Sequence, residues 1–385
     1  MPNPLGSITS ILELLGREVR VLPAIGGAVE ELQHPDPEER EDSILDSASN
    51  IEGIINTFAE VPAPDPRNIY RKTPPLSRKE KHLFRFFIDG SIRTYFLGTG
   101  IENARSFPIE LAQVGSAVIL REDDGQLRVF DHKSRIILLL PKENQGISDT
   151  LWESLKKTEK PDYFEIVDFT LPDILADSYK DPRDKAGARA RSKMHRLEIE
   201  FIKSTSSLCN ENSWLILDGS VRFVEEEMWE IFKNNPYVIG VAKSFRRDPI
   251  FQFGNKPSQR EDLTGILAGL PYACRTVAFS GLDGKVAFWY LRIREQKELD
   301  YPLMGVVKVE FPCPDKEPIS AELADLISSA LVAERNVTPY GLDRRWHCSL
   351  YPIYIAEQVI KNRFFSKEVL MGCIKWTKPQ TGGVA

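Results

Sequence analysis

Residues 83–100 read LFRFFIDGSIRTYFLGTG, and residues 116–130 read SAVILREDDGQLRVF. Both stretches are rich in aromatic and β-branched residues, which favour strands. The second contains an Asp-Gly pair at 124–125 between two alternating runs, a pattern that predicts a hairpin turn. Apolar runs at 134–140 and 162–169 are further candidate strands. The middle of the chain therefore predicts a sheet that starts with several consecutive strands.

The remainder of the chain alternates helices with strands. Residues 181–205 predict one long helix, and the continuous apolar run of WLILDGS, residues 214–220, predicts a strand that is buried on both faces. Further predicted elements are a helix at 225–233, strands at 237–245 and 305–311, a hairpin around Asp283-Gly284, and helices at 318–335 and from Tyr351 onward. Consecutive strands followed by this alternation predict an α/β fold with a central mixed sheet flanked by helices.

The first 80 residues have a different pattern. One amphipathic helix is predicted near residues 8–15 and another through residues 44–55. Residues 61–81 contain five prolines and turn sharply basic, which is typical of a linker or an arm. We therefore expect an N-terminal helical extension with a basic linker over residues 1–80, and the main domain over residues 81–385.

The composition excludes several classes of protein. With 385 residues, 42% of them hydrophobic, the chain can bury a substantial core, which excludes wholesale disorder. Its five cysteines include no CxxC pair, which argues against a disulfide framework and a structural zinc site. No apolar run approaches the roughly 20 residues that cross a bilayer. The N-terminus also lacks the basic region of a secretory signal. We expect a soluble, cytoplasmic protein without a membrane partner.

The net charge of −6 argues against DNA binding over the whole surface, because proteins that neutralise many phosphates are normally basic. The charge is unevenly distributed, however. Acidic residues concentrate at 30–46 and 225–227, whereas basic residues concentrate at 67–85 and 183–203. Any DNA binding is therefore expected to be local, and weak without a partner.

Two of the four Asp-Gly pairs are candidates for chemistry. Asp218 ends a continuous apolar run, and ligand sites in open α/β sheets gather beyond the carboxyl ends of strands. A carboxylate that is buried there needs a cation or hydrogen-bond donors. The alternative is an aspartate that caps the next turn. Asp89 also follows an apolar run and precedes Gly-Ser. The alternative to a site role for Asp89 is a tight turn between residues 84–88 and 91–96.

A third acid lies on the predicted long helix. When successive residues of this helix are placed 100° apart, Glu198 falls in the middle of an apolar face, whereas Glu200 falls outside it among charged residues. Glu198 is therefore either a site residue or the partner of a buried Arg or Lys. Three inward carboxylates suffice for a divalent-metal site, and their hard oxygen atoms favour Mg²⁺ or Mn²⁺ over zinc.

Seven segments, in this order, resemble the NurA family of manganese-dependent DNA nucleases. They are DGS (89–91), the helix glutamate, LILDGS (215–220), GVAKS (240–244), FWYLRI (288–293), VVKVEF (306–311) and LYPIYIAEQ (350–358). The resemblance covers about residues 83–365. It implies an RNase H-like fold, a homodimer, and processing of DNA ends in double-strand break repair together with a HerA-type hexameric ATPase.

The resemblance also implies roles for individual residues. Asp89 and Asp218 match the metal-binding aspartates of the family, and Glu198 is the best match to its helix glutamate. Lys243 matches a lysine that contacts the scissile phosphate or a carboxylate. Glu310 matches a family position to which we assign no role.

One departure from the family leaves the fourth metal ligand open. NurA proteins carry a histidine one to two helical turns after their Tyr-Pro, whereas no histidine follows Tyr351-Pro352 in the helix predicted here. Glu357 could substitute as an oxygen ligand, and His347 lies four residues upstream of Tyr351. The fourth ligand is therefore Glu357, His347 or none.

Three functions are compatible with these patterns. The first is a deoxyribonuclease, an exonuclease or single-strand endonuclease, with two Mn²⁺ or Mg²⁺ ions per site and Lys243 neutralising the phosphate. Its expected metal ligands are Asp89, Glu198, Asp218 and Glu357. The second is a catalytically weak or inactive NurA-like dimer that docks a DNA-translocating ATPase through the N-terminal helices and the acidic residues at 36–46. The third, a sugar-kinase-like or actin-like ATPase, is disfavoured because no GxxxxGK[ST] motif occurs.

Overall fold

A large mixed sheet forms the centre of the computed structural model of the chain. The structure describes residues 5–24, 54–55, 57–77, 82–102, 105–142, 146–158, 161–172, 181–222, 225–247, 249–253, 260–298, 300–334, 336–337 and 345–376. Helices pack against both faces of the sheet. The predicted α/β fold with a central mixed sheet is therefore confirmed.

The described residues include strands that range from 2 to 19 residues in length. They are β1 (Arg20–Pro23), β2 (Ile54–Ile55), β3 (Glu60–Val61), β4 (Tyr70–Lys72), β5 (Phe84–Glu102), β6 (Arg105–Arg121), β7 (Leu127–Leu140), β8 (Phe164–Asp168), β9 (Trp214–Asp218), β10 (Val238–Ala242), β11 (Ile250–Gln252), β12 (Arg260–Asp262), β13 (Cys274–Thr276), β14 (Phe279–Gly281), β15 (Val286–Arg292), β16 (Val306–Pro312) and β17 (Ile319–Ser320).

The helices of the described residues are α1 (Gly6–Glu18), α2 (Asp149–Lys157), α3 (Pro182–Ser206), α4 (Glu226–Asn234), α5 (Leu263–Ala268), α6 (Ala321–Ala333), α7 (Tyr351–Lys361) and α8 (Lys367–Cys373). Five of these helices, α1, α3, α4, α6 and α7, lie close to their predicted positions, whereas α2, α5 and α8 were not predicted. The long helix α3 begins where it does because the Asp181 carboxylate accepts hydrogen bonds from the backbone N–H groups of Arg183 and Asp184. Within the ranges given above, no helix is both long and apolar enough to span a bilayer.

The order of strands in the main sheet is β4-β13-β15-β16-β10-β9-β5-β6-β7-β8, with β1 beside β5 and β14 beside β15. Strands β5, β6 and β7 form an antiparallel meander. Strand β9 runs parallel to β5, and β10 runs parallel to β9. The register pairs Ile88 with Leu217 and Asp218 with Val241. The end of β9 therefore lies beside Ile88 of the longer strand β5, and the end of β10 lies on the other side of β9.

Side chains of the central strands alternate between the two faces of the sheet. Phe87, Ile216 and Val241 belong to the core that includes residues of α6 and α7. Ile88 and Leu217, one residue further along their strands, belong to the core that includes residues of α3 and α4. This alternation determines which helices each functional side chain faces.

The N-terminal segment packs against the sheet. Helix α1 is confirmed, and its apolar face shares a third core with residues of β5, β6 and β7. Most of the helix predicted through residues 44–55 lies outside the described residues, as do the acidic residues at 36–46. The helix prediction is wrong for Ile54–Ile55, because these residues form β2 and pair with β11. The boundary proposed at residue 80 stays a prediction, and β4, which precedes it, pairs with β13 of the main sheet.

The Asp-Gly pairs have different structures. The predicted hairpin between β6 and β7 is confirmed, with Gly125 at φ 84°. The predicted hairpin between β14 and β15 is also confirmed, with Asp283 and Gly284 at positive φ. Asp89 and Gly90, in contrast, lie inside the continuous 19-residue strand β5. The alternative interpretation of this pair as a tight turn is therefore wrong.

A buried ion-pair cluster attaches the segment before β5 to the sheet. The guanidinium of Arg275 is fully buried and donates to both carboxylate oxygens of Glu60, at 2.8 and 3.0 Å. Its Nε donates to Asp325 on α6 at 2.7 Å, and Arg71 on β4 donates to the same carboxylate. Glu60 also accepts the backbone N–H of Ala278. The cluster thus joins β3, β4, β13 and α6.

Arg275→Ala is expected to lower the free energy of unfolding by about 3–5 kcal/mol, because it leaves the buried Glu60 carboxylate without its principal cation. Urea-induced unfolding followed by circular dichroism measures the change. Arg67→Ala removes the exposed Arg67–Asp65 pair and is the matched control, for which we expect no measurable change. A stability of Arg275→Ala equal to that of the control variant would contradict this account.

Candidate active site

Asp89, Asp218 and Lys243 come from three neighbouring strand segments and face the same side of the sheet. Each lies two residues beyond a residue of the core that includes α6 and α7, namely Phe87, Ile216 and Val241. Because side chains alternate along a strand, Asp89 and Asp218 point towards the same helices. Lys243 follows the last residue of β10, and its contact with Asp218 places it on that side as well.

Lys243 and Asp218 form a largely buried ion pair. Lys243 Nζ lies 2.7 Å from Asp218 Oδ2, and the two side chains are only 10% and 12% exposed. Burial lowers the pKa of the Lys243 ammonium, but the carboxylates of Asp218, Asp89 and Glu357 raise it above its ordinary value. The lysine therefore stays charged and compensates the Asp218 carboxylate. The resemblance implied that Lys243 contacts either the scissile phosphate or a carboxylate, and in the structure its contact is the carboxylate of Asp218.

Asp89 lies in mainly unfavourable electrostatic surroundings. Its residue is 5% exposed, and burial raises the pKa of its carboxyl well above the ordinary value. The adjacent Asp218 carboxylate raises this pKa further, Lys243 lowers it, and Glu357 and Glu198 raise it again. Several carboxylates thus act on one position that a single ammonium opposes. A bound cation would relieve this excess of negative charge.

Glu198 approaches the same region from the opposite face of the sheet. It is 3% exposed on α3, as its position on the helix predicted, whereas Glu200 is exposed and pairs with Lys133. A Cβ atom on Gly90 would lie only 2.5 Å from Glu198 Oε1. The missing side chain of Gly90 therefore allows the Glu198 carboxylate to approach β5.

The partner of Glu198 is a histidine rather than a buried Arg or Lys. Glu198 Oε2 lies 2.7 Å from His195 Nδ1, and the His195 side chain is 32% exposed. We did not predict His195 as a site residue. The available signal was its spacing, because residues three apart on a helix are neighbours.

The structure separates the two candidates for the fourth ligand. Glu357 lies on α7, raises the pKa of the Asp89 carboxyl, and pairs with Lys361 at 2.5 Å. His347 Nδ1 instead accepts the backbone N–H of Gly305 at 3.0 Å and contacts the Cys348 thiol. His347 is thus engaged in local packing, whereas Glu357 acts electrostatically on the aspartates.

A network around Glu310 holds the loop that follows β9. The fully buried Glu310 carboxylate accepts hydrogen bonds from Ser220 Oγ at 2.6 Å and from the backbone N–H of Val221 at 3.2 Å. Arg222 Nε and Lys308 Nζ lie 2.9 and 3.0 Å from its other oxygen. Burial alone would raise the pKa of Glu310, but Arg222, Lys308 and the Ser220 hydroxyl lower it to about 2. Glu310 therefore positions the loop beyond Asp218.

Glycine is required where this loop crosses β10. Gly219 has φ 115°, a conformation that side chains rarely adopt. A Cβ atom on Gly240 would lie 2.5 Å from the carbonyl oxygen of Gly219 and 3.1 Å from the backbone nitrogen of Val221. Both are backbone atoms, so any side chain at 240 would displace the loop. The two glycines thus set the position of Asp218 relative to β10.

The donor atoms of the site suit a hard divalent cation. Asp89, Asp218 and Glu357 offer carboxylate oxygens, the type of ligand that Mg²⁺ and Mn²⁺ prefer. In the described part of the chain, however, no three Asp, Glu, His or Cys side chains converge as a metal site. Asp218 would also divide its carboxylate between the cation and Lys243. The residues therefore fit a cation in their chemistry, and binding would require their carboxylates to reorient.

Comparison with protein-family models finds no match for the chain, and no curated protein matches it. The resemblance to the NurA family therefore stays a prediction, and the roles of Asp89, Glu198, Asp218, Lys243 and Glu357 stay predictions with it. The geometry around these residues is the independent basis for a functional proposal.

Glu310→Gln is expected to change the pH dependence of stability. The pKa of Glu310 is lowered to about 2 from an ordinary 4.5, so its ionic stabilisation is complete above about pH 4.5 and is lost as the pH falls towards 2. The stability difference between wild type and variant, about 3 kcal/mol at neutral pH from this effect, should shrink across that interval. Urea unfolding at a series of pH values measures it. The exposed Glu317→Gln is the control, and a difference independent of pH would refute the ionic network.

Proposed function

We propose that the chain is a divalent-metal-dependent deoxyribonuclease that hydrolyses phosphodiester bonds. The observation that carries the proposal is the burial of Asp89 and Asp218 on adjacent parallel strands, with Lys243 as their shared cation. Like charges that are buried side by side oppose folding, and such perturbed groups are typical of functional sites. Carboxylates that hold Mg²⁺ or Mn²⁺, with a cationic side chain for the phosphate, are the groups that phosphodiester cleavage requires.

The residues on the α7 side of the sheet have two roles, metal binding and contact with the phosphate. Asp89, Asp218 and Glu357 would hold Mn²⁺ or Mg²⁺, with two ions per site as the resemblance implies. The metal, when bound, supplies Lewis-acid stabilisation of the charge that develops on the phosphate. Lys243 orients Asp218 through its 2.7 Å contact and offers the rest of its ammonium to a phosphate oxygen. Because these groups are buried, their electrostatic interactions are stronger than they would be in water.

Glu198 and His195 form a second functional pair on the α3 side. The 2.7 Å contact between Glu198 Oε2 and His195 Nδ1 orients the imidazole ring, and the partly exposed ring can exchange protons with solvent. We propose that this pair holds a proton near the site. Because Glu198 lies over Gly90, it also adds negative charge next to Asp89.

The resemblance to the NurA family extends the proposal. We propose on this basis alone that the protein is a cytoplasmic homodimer. As an exonuclease or single-strand endonuclease, it would process DNA ends in double-strand break repair with a HerA-type hexameric ATPase.

A second function is favoured by a specific observation. Lys243 already compensates the negative charge of Asp218. Within the described ranges, the acidic side chains do not converge as a group that could hold a metal ion. These features suit a catalytically weak or inactive dimeric adaptor that docks a DNA-translocating ATPase. An inactive adaptor would bind no Mn²⁺ and a weak one would bind it poorly, whereas the nuclease requires it, so calorimetric titration of the full chain with Mn²⁺ separates the two functions.

Asp89→Asn is expected to lower manganese-dependent cleavage of end-labelled linear DNA by at least roughly 100-fold. The same substitution should raise the thermal unfolding midpoint measured without metal, because it removes a carboxyl whose ionisation burial and Asp218 oppose. Asp65→Asn, at an exposed position, is the control and should alter neither quantity. Cleavage by Asp89→Asn at the wild-type rate would exclude the assignment.

Glu198→Gln is expected to lower the cleavage rate roughly 10- to 100-fold and to change its pH profile, because His195 loses its carboxylate partner. Glu200→Gln, two residues along the same helix and exposed, is the matched control and should behave as wild type. Cleavage kinetics at saturating Mn²⁺ over a range of pH measure both variants. Identical profiles for the two variants would leave Glu198 without a functional role.

A further inference from the structure

A cleft of about 500 Å³ lies outside the candidate active site, and residues 293–295, 297, 300 and 304 line it together with Asn336. Its lining includes Tyr272, Arg294 and Trp346. None of the carboxylates of the candidate active site contributes to its lining. The volume lies within the range of small-ligand sites, roughly 300–1,000 Å³.

Two aromatic rings give the cleft flat surfaces. Tyr272 is 44% exposed, although tyrosine usually buries its ring. Trp346 is partly buried, and the guanidinium carbon of Arg294 lies 5.0 Å from its ring centroid. Partly exposed aromatic rings and an arginine plane are the surfaces on which unpaired nucleic-acid bases stack.

The cleft also contains polar atoms that lack partners. Arg294 Nε and Asn336 Oδ1 are buried, and neither finds a hydrogen-bond partner within the part of the chain that the structure describes. The terminal nitrogen Nη2 of Arg294, in contrast, donates to the carbonyl oxygen of Val337. A buried donor and a buried acceptor without partners are unfavourable. Both atoms have almost no accessible surface, so a base edge that combines an acceptor with an amino group would pair with them only after the side chains of Arg294 and Asn336 turn towards the cleft.

The charges of the cleft favour a neutral group over a phosphate. Arg294 and Lys297 contribute two positive charges, and Glu295 and Asp300 contribute two negative charges. A phosphate would gain no net attraction from this balance, whereas a base carries no charge. The ligand that fits is therefore the base of a nucleotide whose phosphates lie elsewhere.

The cleft adjoins the candidate active site. Arg345 Nη1 donates to Ser244 Oγ at 3.0 Å, and Ser244 directly follows Lys243. Arg345 in turn directly precedes Trp346, which lines the cleft. A single hydrogen bond thus connects the proposed phosphate contact with the aromatic surface.

We propose that this cleft binds an unpaired base of single-stranded DNA while the neighbouring phosphate contacts Lys243. The choice of DNA as the ligand rests on the proposed nuclease function. The cleft then favours strands whose bases are free to leave the stack.

The test measures binding of a fluorescein-labelled single-stranded oligonucleotide to the full chain by anisotropy, with EDTA present so that cleavage cannot occur. Trp346→Leu and Tyr272→Leu are each expected to weaken binding roughly 10- to 100-fold, because each removes a stacking surface. Phe130→Leu, which removes an exposed ring on β7, is the matched control and should bind as wild type. Thermal unfolding shows that each variant is folded, and Tyr272 is exposed enough for its replacement to leave the core intact.

Ultraviolet crosslinking of an oligonucleotide that contains 5-iodouracil should map to peptides carrying Tyr272 or Trp346.

The possible results separate the cleft from the nuclease proposal. Weaker binding of both leucine variants, with crosslinks in the cleft, supports the inference. Unchanged binding of both variants overturns the proposal that the cleft binds a base, and it leaves the nuclease proposal intact if wild type cleaves DNA in Mn²⁺. Cleavage without measurable single-strand binding also overturns the base-binding proposal alone. A wild-type protein that neither binds nor cleaves DNA overturns both.

Discussion

The burial of two aspartates beside one lysine is the constraint on which the site depends. Asp89 and Asp218 end up adjacent because β9 runs parallel to β5 in a fixed register, and the apolar core beneath them cannot solvate their charge. Lys243 compensates Asp218, whereas the pKa of Asp89 stays raised. The surrounding backbone accommodates this cluster through glycines, since Gly90 admits Glu198 and Gly240 admits the loop beyond Asp218. The fold therefore maintains a charge cluster that its own packing opposes.

The neighbouring charges are compensated in a different way. Glu310 is fully buried as well, but Arg222 and Lys308 both contact it and lower its pKa to about 2. Arg275 and Glu60 likewise form a closed, bidentate pair. These networks have stable partners and serve to fix loops and strands. Asp89 differs because the groups around it mostly raise its pKa, and this contrast, rather than burial alone, supports the proposal that it is a functional residue.

Periodicity made much of the fold and part of the site predictable. The helical period placed Glu198 on the buried face of α3 and Glu200 in solvent, and the apolar run before Asp218 predicted its strand. Long-range pairing was not predictable, because nothing in a single sequence states which strands are neighbours. Which carboxylate Lys243 contacts, and the pairing of β2 with β11, therefore emerged only from the structure. An Asp-Gly pair favours turns, so the position of Asp89 inside β5 was open as well.

The same electrostatic contrast bears on the choice between nuclease and adaptor. A dimer that only docked a motor would need no ionisable group at position 89, because asparagine has almost the same shape and avoids the repulsion by Asp218. A buried aspartate at position 89 costs stability unless a positively charged ligand enters the site. The proposed nuclease, which would bind a cation here, therefore explains the cluster more simply than the proposed docking adaptor does, and Lys243 would compensate Asp218 until the cation binds.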